Sequence, residues 1–326
     1  MDNRTNSPVN FVLASLSILH GSLACVISLI IFIAIIGHYY TKNRIKPENK
    51  IIFILCANIY FIIFFSAFIV IISDIRRLLG DIYGYNLNSS SCVFNGYAIC
   101  VILCVLYSSF TIQGFYRLCR VVYSSYRHMQ TPRLYAFAIP VQIIYFCIIF
   151  SPLLIWHDIS YIPTEYNCFI PAASVRGMLW LYILGYGLPT WSLLLMYLKI
   201  SRYIYRQPHV QNTVDRNRST RDIVVIQRVM ILVGILLLLA LPGTILLLIY
   251  YITGYEYSFG YRLQSATLQL SLFILSVLIV FMTPQLKNSL MATYQKTRVV
   301  PMHASVSVIH QNRTRITLSQ AQLLAQ

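Results

Sequence analysis

Residues 51–73 read IIFILCANIYFIIFFSAFIVIIS and contain no charged side chain. A helix of this length is about 34 Å long, enough to cross the apolar core of a bilayer, which is roughly 30 Å thick. Comparable apolar blocks recur along the chain, separated by short polar stretches. The seven blocks run approximately over 11–37, 51–73, 93–115, 134–156, 178–200, 223–252 and 263–284. The sequence therefore predicts an all-α membrane protein, a bundle of seven transmembrane helices.

The composition excludes a soluble domain. Of the 326 residues, 58% are hydrophobic and 10% are charged, whereas soluble domains carry roughly 25% charged residues. The first apolar block is too long for the core of a cleavable signal peptide and is followed by basic residues, so we expect it to insert as a signal anchor.

The basic residues, which give a formal net charge of +16, predict the orientation of the bundle. When the loops are assigned alternately to two sides, most of the 25 basic residues fall on one side. The other side holds only Arg4, Arg76, Arg77, Arg176 and Arg262, together with Asp2, Asp74, Asp81, Asp158, Glu165 and Glu256. The positive-inside rule then makes the basic side cytoplasmic, with the N-terminus outside and the C-terminus inside. The positive charge is topogenic on this interpretation, and nucleic acid is not an expected partner.

Four Asn-X-Ser/Thr sequons bear on this topology. Asn3 and Asn88 lie on the predicted outside, where glycosylation can occur. Asn217 and Asn312 would be cytosolic and therefore unused. The sequons agree with the orientation, but only two of the four are informative.

The third block carries the most informative spacing. Arg117 follows Cys92 by about 37 Å of helix, so that one span places Cys92 at its outer end and Arg117 at its inner end. The stretch GFYRLCRVVY around Arg117 resembles the Asp-Arg-Tyr motif of rhodopsin-like (class A) G-protein-coupled receptors. Tyr116 stands for the acid of that motif and Leu118 for its aromatic residue.

The later prolines resemble the same family. Pro189 and Tyr197 resemble the proline and tyrosine of its fifth helix. Pro242 occupies the place of the proline in its sixth-helix Cys-Trp-x-Pro motif, with Ala240 where the tryptophan would be. Proline is also common in membrane helices generally, so the joint spacing carries the resemblance.

The seventh block and the sequence after it complete the resemblance. Pro284 resembles the proline of the Asn-Pro-x-x-Tyr motif, with Thr283 for the asparagine and Lys287 for the tyrosine, and Tyr294 lies where a short eighth helix is expected. The resemblance implies a short extracellular N-terminus over 1–10, a transmembrane domain with this short helix over 11–295, and a cytoplasmic tail over 296–326.

Two pairings are expected. Cys168 lies in the predicted outer loop between the fourth and fifth spans, and an oxidising compartment allows it to pair with Cys92; two free thiols are the alternative. Asp222 lies where the family places the acid that pairs with Arg117 and ties the third helix to the sixth. The alternative is a solvated loop charge beside Arg221.

The resemblance also implies a ligand pocket at the outer side. Its expected lining is Asn95, Ile99, Cys100, Leu103, Tyr182, Tyr186, Leu247, Gln264, Gln269 and Phe273. Ile99 replaces the aspartate of amine receptors, and Val277 stands where an opsin attaches retinal. Asn58 or Ile59 replaces the aspartate of the sodium site, which makes such a site doubtful. The mixed charges at the mouth slightly favour a peptide ligand; the alternative is that they are loop charges without a ligand role.

Other classes of protein fit less well. A proton-coupled transporter needs acids near the membrane midplane, and no predicted span has one in its core. The histidines are scattered without metal-ligand spacing, so we expect neither an enzyme nor a cofactor or metal. A small multi-span channel or transporter remains the alternative, through polar faces such as Ser108, Ser109 and Gln113. We expect a plasma-membrane receptor that senses an extracellular ligand, activates a heterotrimeric G protein and contacts membrane lipid.

Overall fold

The computed structural model describes residues 8–41, 47–84, 88–205, 230–231, 234–235, 237–238, 241–254 and 259–283. These residues form eight α-helices, a two-stranded hairpin and two other helical segments. The α-helices are α1 (Pro8–Thr41), α2 (Pro47–Tyr83), α3 (Ser90–Val121), α4 (Pro132–Ile155), α5 (Val175–Trp180), α6 (Leu188–Tyr205), α7 (Leu241–Thr253) and α8 (Gly260–Met282). A 3₁₀ turn spans Arg127–Gln130, and a π-helical segment, Leu181–Gly187, joins α5 to α6. The strands are β1 (Ser160–Ile162) and β2 (Asn167–Phe169).

Within the described residues, six helical segments are long and apolar enough to cross a membrane, so the chain is an all-α, multi-pass membrane protein. They are Pro8–Tyr40, Asn49–Tyr83, Ser90–Val121, Pro132–Ile155, Val175–Tyr203 and Gly260–Met282. Six of the seven predicted spans are thus present. In the block predicted over 223–252 the structure describes α7 and further helical residues at 230–231, 234–235 and 237–238, and the rest of that block lies outside the described residues.

Helix ends follow local chemistry. Ser89 caps α3, since its side chain accepts a hydrogen bond from the Cys92 backbone N–H. Pro132 begins α4, where its missing N–H removes no helical hydrogen bond. Gly84 and Gly254 follow α2 and α7 with φ of 68° and 71°, a conformation that glycine adopts at no steric cost.

The third span lies at the centre of the bundle. In its most apolar stretch 67% of the residues are buried, against 22% in α4. It packs against α2, α4, α6 and the hairpin, while α1 packs against α2 and α8. Large apolar side chains of α1 and α4, such as Ile33 and Ile148, are exposed on the protein, as expected for surfaces that contact lipid acyl chains.

Polar side chains join the spans inside the bundle. Asn58 of α2 and Gln142 of α4 both donate to the Ser109 hydroxyl of α3, at 3.0 and 2.7 Å. Such hydrogen bonds hold helices together where apolar burial offers little preference among neighbours. Ser109, considered above as part of a polar channel face, is therefore a helix-packing residue.

The two ends of the bundle differ, and we name them by their contents. The hairpin end carries β1 and β2, with the C-terminus of α2 and the N-terminus of α3. The Arg117 end carries the C-terminus of α3 and that of α6.

Candidate functional site

The hairpin covers one end of the bundle and is fixed to α3. β1 and β2 are antiparallel, and Tyr161 lies opposite Cys168 in the register. A disulfide joins Cys168 to Cys92 in the first turns of α3, with 5.4 Å between their Cα atoms. The pairing expected from the sequence is thus present in the structure. It holds β2 over the centre of the bundle.

A cavity of about 470 Å³ lies beneath the hairpin. Side chains from α2, α3, the π-helical segment, α7 and α8 line it. Six of the ten predicted pocket residues are among them: Ile99, Leu103, Tyr182, Tyr186, Leu247 and Gln264. This volume falls in the range of roughly 300–1,000 Å³ that is typical of small-molecule sites.

The other four predicted residues do not line the cavity. Asn95 lies one turn beyond Ile99 and donates from Nδ2 to Ser73, at 3.1 Å. Cys100 is fully buried, one residue around α3 from the lining face. Gln269 and Phe273 lie in the interface of α8 with α1 and α2. Gln269 donates to the Ala67 carbonyl, and the Phe273 ring centroid lies 6.2 Å from that of His20. These four positions depend on how far α3 and α8 are rotated about their own axes, which the sequence pattern does not specify.

Several lining residues escaped the sequence analysis. They are chiefly Val70, Ser73, Arg77, Tyr107, Phe169, Met178, Tyr250, Tyr261, Ser265 and Leu268. Tyr107 follows Leu103 by one turn, so its position was readable from the helical period. The predicted second span ends at Ser73, whereas α2 continues to Tyr83, so the sequence does not predict that the α2 face through Arg77 lines the cavity. The arginine expected in a loop therefore lies on a helix that faces the cavity.

The π-helical segment shapes one wall of the cavity. A π turn is wider than an α turn and is frequent at functional sites. Tyr182 and Tyr186 both project from it into the lining. The Tyr186 ring packs edge-on against Tyr107 of α3, with 4.9 Å between ring centroids. Aromatic side chains thus link the third and fifth spans at the level of the cavity.

Charged side chains form a buried network at the hairpin end. Asp74 accepts hydrogen bonds from Ser17 of α1 at 2.5 Å, from Ser265 of α8 at 2.7 Å and from Arg77 at 2.9 Å. Arg262 of α8 donates to Glu165 of the hairpin turn, at 3.0 Å, and to both carboxylate oxygens of Asp81. The network ties α1, α2 and α8 to the hairpin.

The mixed charges predicted at the mouth of the pocket are paired with one another. Each of the four acids predicted there that the structure describes makes an ion pair with an arginine, including Asp158 with Arg176 at 3.1 Å. Glu256 lies outside the described residues. Only 1% of Asp74 and of Glu165, and 2% of Arg262, is exposed. The charges on which the expectation of a peptide ligand rested are therefore engaged with one another.

The two hairpin-end acids outside the spans respond differently to their surroundings. Burial raises the pKa of Glu165 above 4.5, although Arg77 and Arg262 oppose that rise. For Asp158 burial acts in the same direction, but hydrogen bonds from Arg176 and Ser174 and the charge of Arg176 outweigh it, so that its pKa is lowered. Of the two acids, Glu165 is therefore the one whose surroundings disfavour the ionised form.

The opposite end of the bundle brings two predicted switch residues together. Arg117 of α3 and Tyr197 of α6 line a second cavity of about 20 Å³, with Leu193, Ile200 and Met230. Pro189 lies at the start of α6, where its carbonyl accepts a hydrogen bond from Thr111 of α3, at 3.3 Å. Pro242 lies in α7.

Other predicted residues lie outside the described part of the chain. These are the switch residues Asp222 and Pro284, the eighth-helix Tyr294 and the sequon Asn3. Asn88 is exposed and lies next to the start of α3 at the hairpin end. Among the described residues no three or more His, Cys, Asp or Glu side chains are arranged to hold a metal ion.

Neither a scan against models of protein families nor a search of curated proteins finds a match to this chain.

Proposed function

We propose that the chain is a rhodopsin-like receptor of the plasma membrane that binds an extracellular ligand and activates a heterotrimeric G protein. The observation that carries this proposal is the cavity of about 470 Å³ at one end of α3, with Arg117 at the other. On this proposal the bundle has seven crossings, and the hairpin end faces outward. The charge distribution supports that orientation, because the basic loops follow the Arg117 end.

The same two spans line both cavities, which offers a physical route for the signal. On α3, Leu103 and Tyr107 face the ligand cavity and Arg117 lines the small cavity. In the fifth span, Tyr186 faces the ligand cavity and Tyr197 lines the small one. A ligand that favours one packing of these two spans would shift the population of the arrangement around Arg117. The ligand must bind one arrangement much more tightly than the other, because moving the two arrangements from a 1:99 to a 99:1 ratio needs roughly a 10⁴-fold difference in affinity.

The fifth span has a place where such a shift can be absorbed. The π-helical segment ends directly before Leu188, and Pro189 cannot donate a backbone hydrogen bond. Irregular turns and prolines are the usual sites of bending in helices. We propose that this junction is the hinge between the ligand cavity and the Arg117 end.

Asp222 is proposed to hold the inactive arrangement by pairing with Arg117. Removing one partner of a partly buried ion pair leaves the other charge uncompensated and is strongly destabilising. Asp222→Ala would therefore destabilise the inactive state. Basic residues at the same end, notably Arg120, Lys199, Arg202 and Arg221, are proposed to contact anionic lipid.

The test is nucleotide exchange without ligand, with the protein reconstituted beside a panel of G proteins. Asp222→Ala should raise exchange on at least one G protein, and adding Arg117→Ala to it should abolish that rise. The matched control is Lys199→Gln, which alters another basic residue of the same end. Adding it to Asp222→Ala should leave the rise in exchange intact. If Asp222→Ala has no effect and the protein conducts ions in vesicles, the receptor proposal fails and the channel alternative replaces it.

A further inference from the structure

Arg77 is the one charged residue among the described side chains that line the ligand cavity. It lies near the hairpin end of α2 and is 6% exposed. Its Nη1 donates to Asp74, at 2.9 Å, and its Nε has no hydrogen-bond partner among the described residues. A guanidinium carries five N–H donors, and buried donors are normally satisfied. Arg77 is therefore a buried cation at the cavity wall, and its five N–H donors are only partly paired with described side chains.

Asp74 does not satisfy all of these donors. Its carboxylate already accepts from Ser17 and Ser265 as well as from Arg77. Glu165, whose ionised form the Arg77 charge favours, bonds to Arg262 through Oε2, and its Oε1 has no hydrogen-bond partner among the described residues. Among the described side chains Asp74 is the one acceptor bonded to Arg77, so a ligand in the cavity can supply a further acceptor.

The charges around Arg77 limit what that acceptor can be. Three acids, Asp74, Asp81 and Glu165, are held by two arginines, Arg77 and Arg262, which leaves one excess negative charge when all are ionised. A carboxylate or phosphate ligand would add a second uncompensated negative charge in a buried region. An ammonium group would be repelled by the like charge of the Arg77 guanidinium at the cavity wall, and it cannot accept a hydrogen bond. A neutral acceptor avoids both the uncompensated negative charge and this repulsion.

The remaining lining matches an apolar body. Ile99, Leu103, Leu247 and Leu268 provide aliphatic surface, and the Tyr107 and Tyr186 rings provide aromatic surface. Such a lining favours a ligand that removes apolar area from water. One oriented polar group within an apolar cavity is the usual design of a small-molecule site.

We propose that the cavity takes an uncharged, largely apolar small molecule whose carbonyl-type oxygen accepts a hydrogen bond from Arg77. This inference rests on the proposed function only for the role of the molecule as a signal. Binding itself requires no G protein, so it is measured separately.

The test uses four steroid probes on one skeleton, bearing at one position a ketone, no polar group, a carboxylate or an ammonium group. Unfolding of the purified protein in lipid nanodiscs is followed with a thiol-reactive dye, because Cys56, Cys100, Cys104 and Cys119 are buried until the bundle opens. The ketone should raise the melting temperature, by about 5 °C at 100 times its Kd. The other three probes should do so weakly or not at all.

The decisive variant is Asp74→Asn combined with Arg77→Gln, which removes the ion pair without leaving an unpaired buried charge. It should weaken ketone binding about 10- to 100-fold, the effect expected for a hydrogen bond from a charged donor. Arg76→Gln is the matched control, because Arg76 bonds to Ser91 and does not line the cavity. If the double variant fails to fold, Arg77→Lys serves in its place, since it keeps the charge and loses the planar donor edge.

Each outcome decides between the hypotheses. Equal binding of the ketone and the unsubstituted skeleton, or tighter binding of the carboxylate, would overturn the inference. So would ketone binding that is unaffected at Arg77. Ketone binding that depends on Arg77, without any nucleotide exchange, would support the site and count against the receptor proposal. Exchange without binding of any probe would retain the receptor and reject this ligand class.

Discussion

Gly96 shows how a single residue allows the hairpin to cover the cavity. It lies one turn from Cys92 on α3, directly beneath β2. A Cβ atom added there would lie 2.5 Å from the Cys168 carbonyl oxygen and 3.1 Å from the Ile159 side chain. Because the nearest atom belongs to the backbone of a disulfide-bonded residue, it cannot move aside as a flexible side chain would. The close approach of hairpin and helix thus requires glycine.

Gly96→Ala should therefore destabilise the protein, by about 1–3 kcal/mol, which is typical of overpacking a close contact. We expect a lower melting temperature and weaker binding in the cavity, because the hairpin must shift away from α3. Gly37→Ala is the matched control, since nothing lies within 4 Å of its added Cβ. It should be neutral or slightly stabilising, because alanine favours helix over glycine. Equal melting temperatures for the two variants would show that the hairpin is not held this closely.

At the scale of the elements, the sequence was most informative where the apolar signal was longest. Uncharged runs such as 51–73 predict spans because a bilayer admits few other structures. The ends of the spans were harder to predict. α2 continues past Ser73 through Asp74, Arg77 and Asp81, which look like loop residues in sequence. Asp74 and Arg77 pair with each other within α2, whereas Asp81 pairs with Arg262 of α8, a partner distant in the chain that no local pattern reveals.

The residues of the candidate site were predictable where a local pattern indicates them, and not where distant partners decide. Ile99 and Leu103 follow from helical periodicity once α3 is recognised. Asn95 and Gln269 have suitable positions along their helices but are engaged by other spans. Arg77 was assigned to the mouth, yet it lies against the cavity with its charge buried. The rotation of each helix depends on such pairings, so the sequence predicts the site only to within about one turn.

The hairpin depends on its disulfide as an element. Cys92 and Cys168 are 76 residues apart, and closing a loop of that length restricts the unfolded chain considerably. Replacing both cysteines with serine should cost about 2–4 kcal/mol of stability. Ligand binding should fall further, because the strand above the cavity loses its attachment to α3.

The measurements for this pair are the melting temperature and the affinity for the ketone probe. Cys147→Ser is the matched control, because Cys147 is a free, partly buried thiol of α4. It should change neither quantity appreciably. Should the double serine variant melt and bind like the unaltered protein, hydrogen bonds and ion pairs alone would be sufficient to hold the hairpin.

For the whole molecule, the number of crossings decides which functions are possible. Six spans place both termini on one side of the membrane, and seven place them on opposite sides. The described residues of the block predicted over 223–252 are helical, and α7 accounts for about 20 Å of a bilayer core of roughly 30 Å. The seventh crossing therefore depends on the rest of the block over 223–252. The receptor proposal requires that crossing, because the extracellular ligand and the cytosolic G protein must meet opposite ends of one bundle.

Epitope tags at the two termini test directly whether the chain crosses the membrane six or seven times. With seven crossings, an antibody added to intact cells should label the N-terminal tag and should label the C-terminal tag only after permeabilisation. Replacing Asn88 with Gln should remove a glycan, whereas Asn217→Gln, the matched control, should not change the glycosidase-sensitive mass. Labelling of both tags on the same side would leave six crossings. The Arg117 end would then lack the span that Asp222 introduces, and neither the proposed lock nor its release could operate.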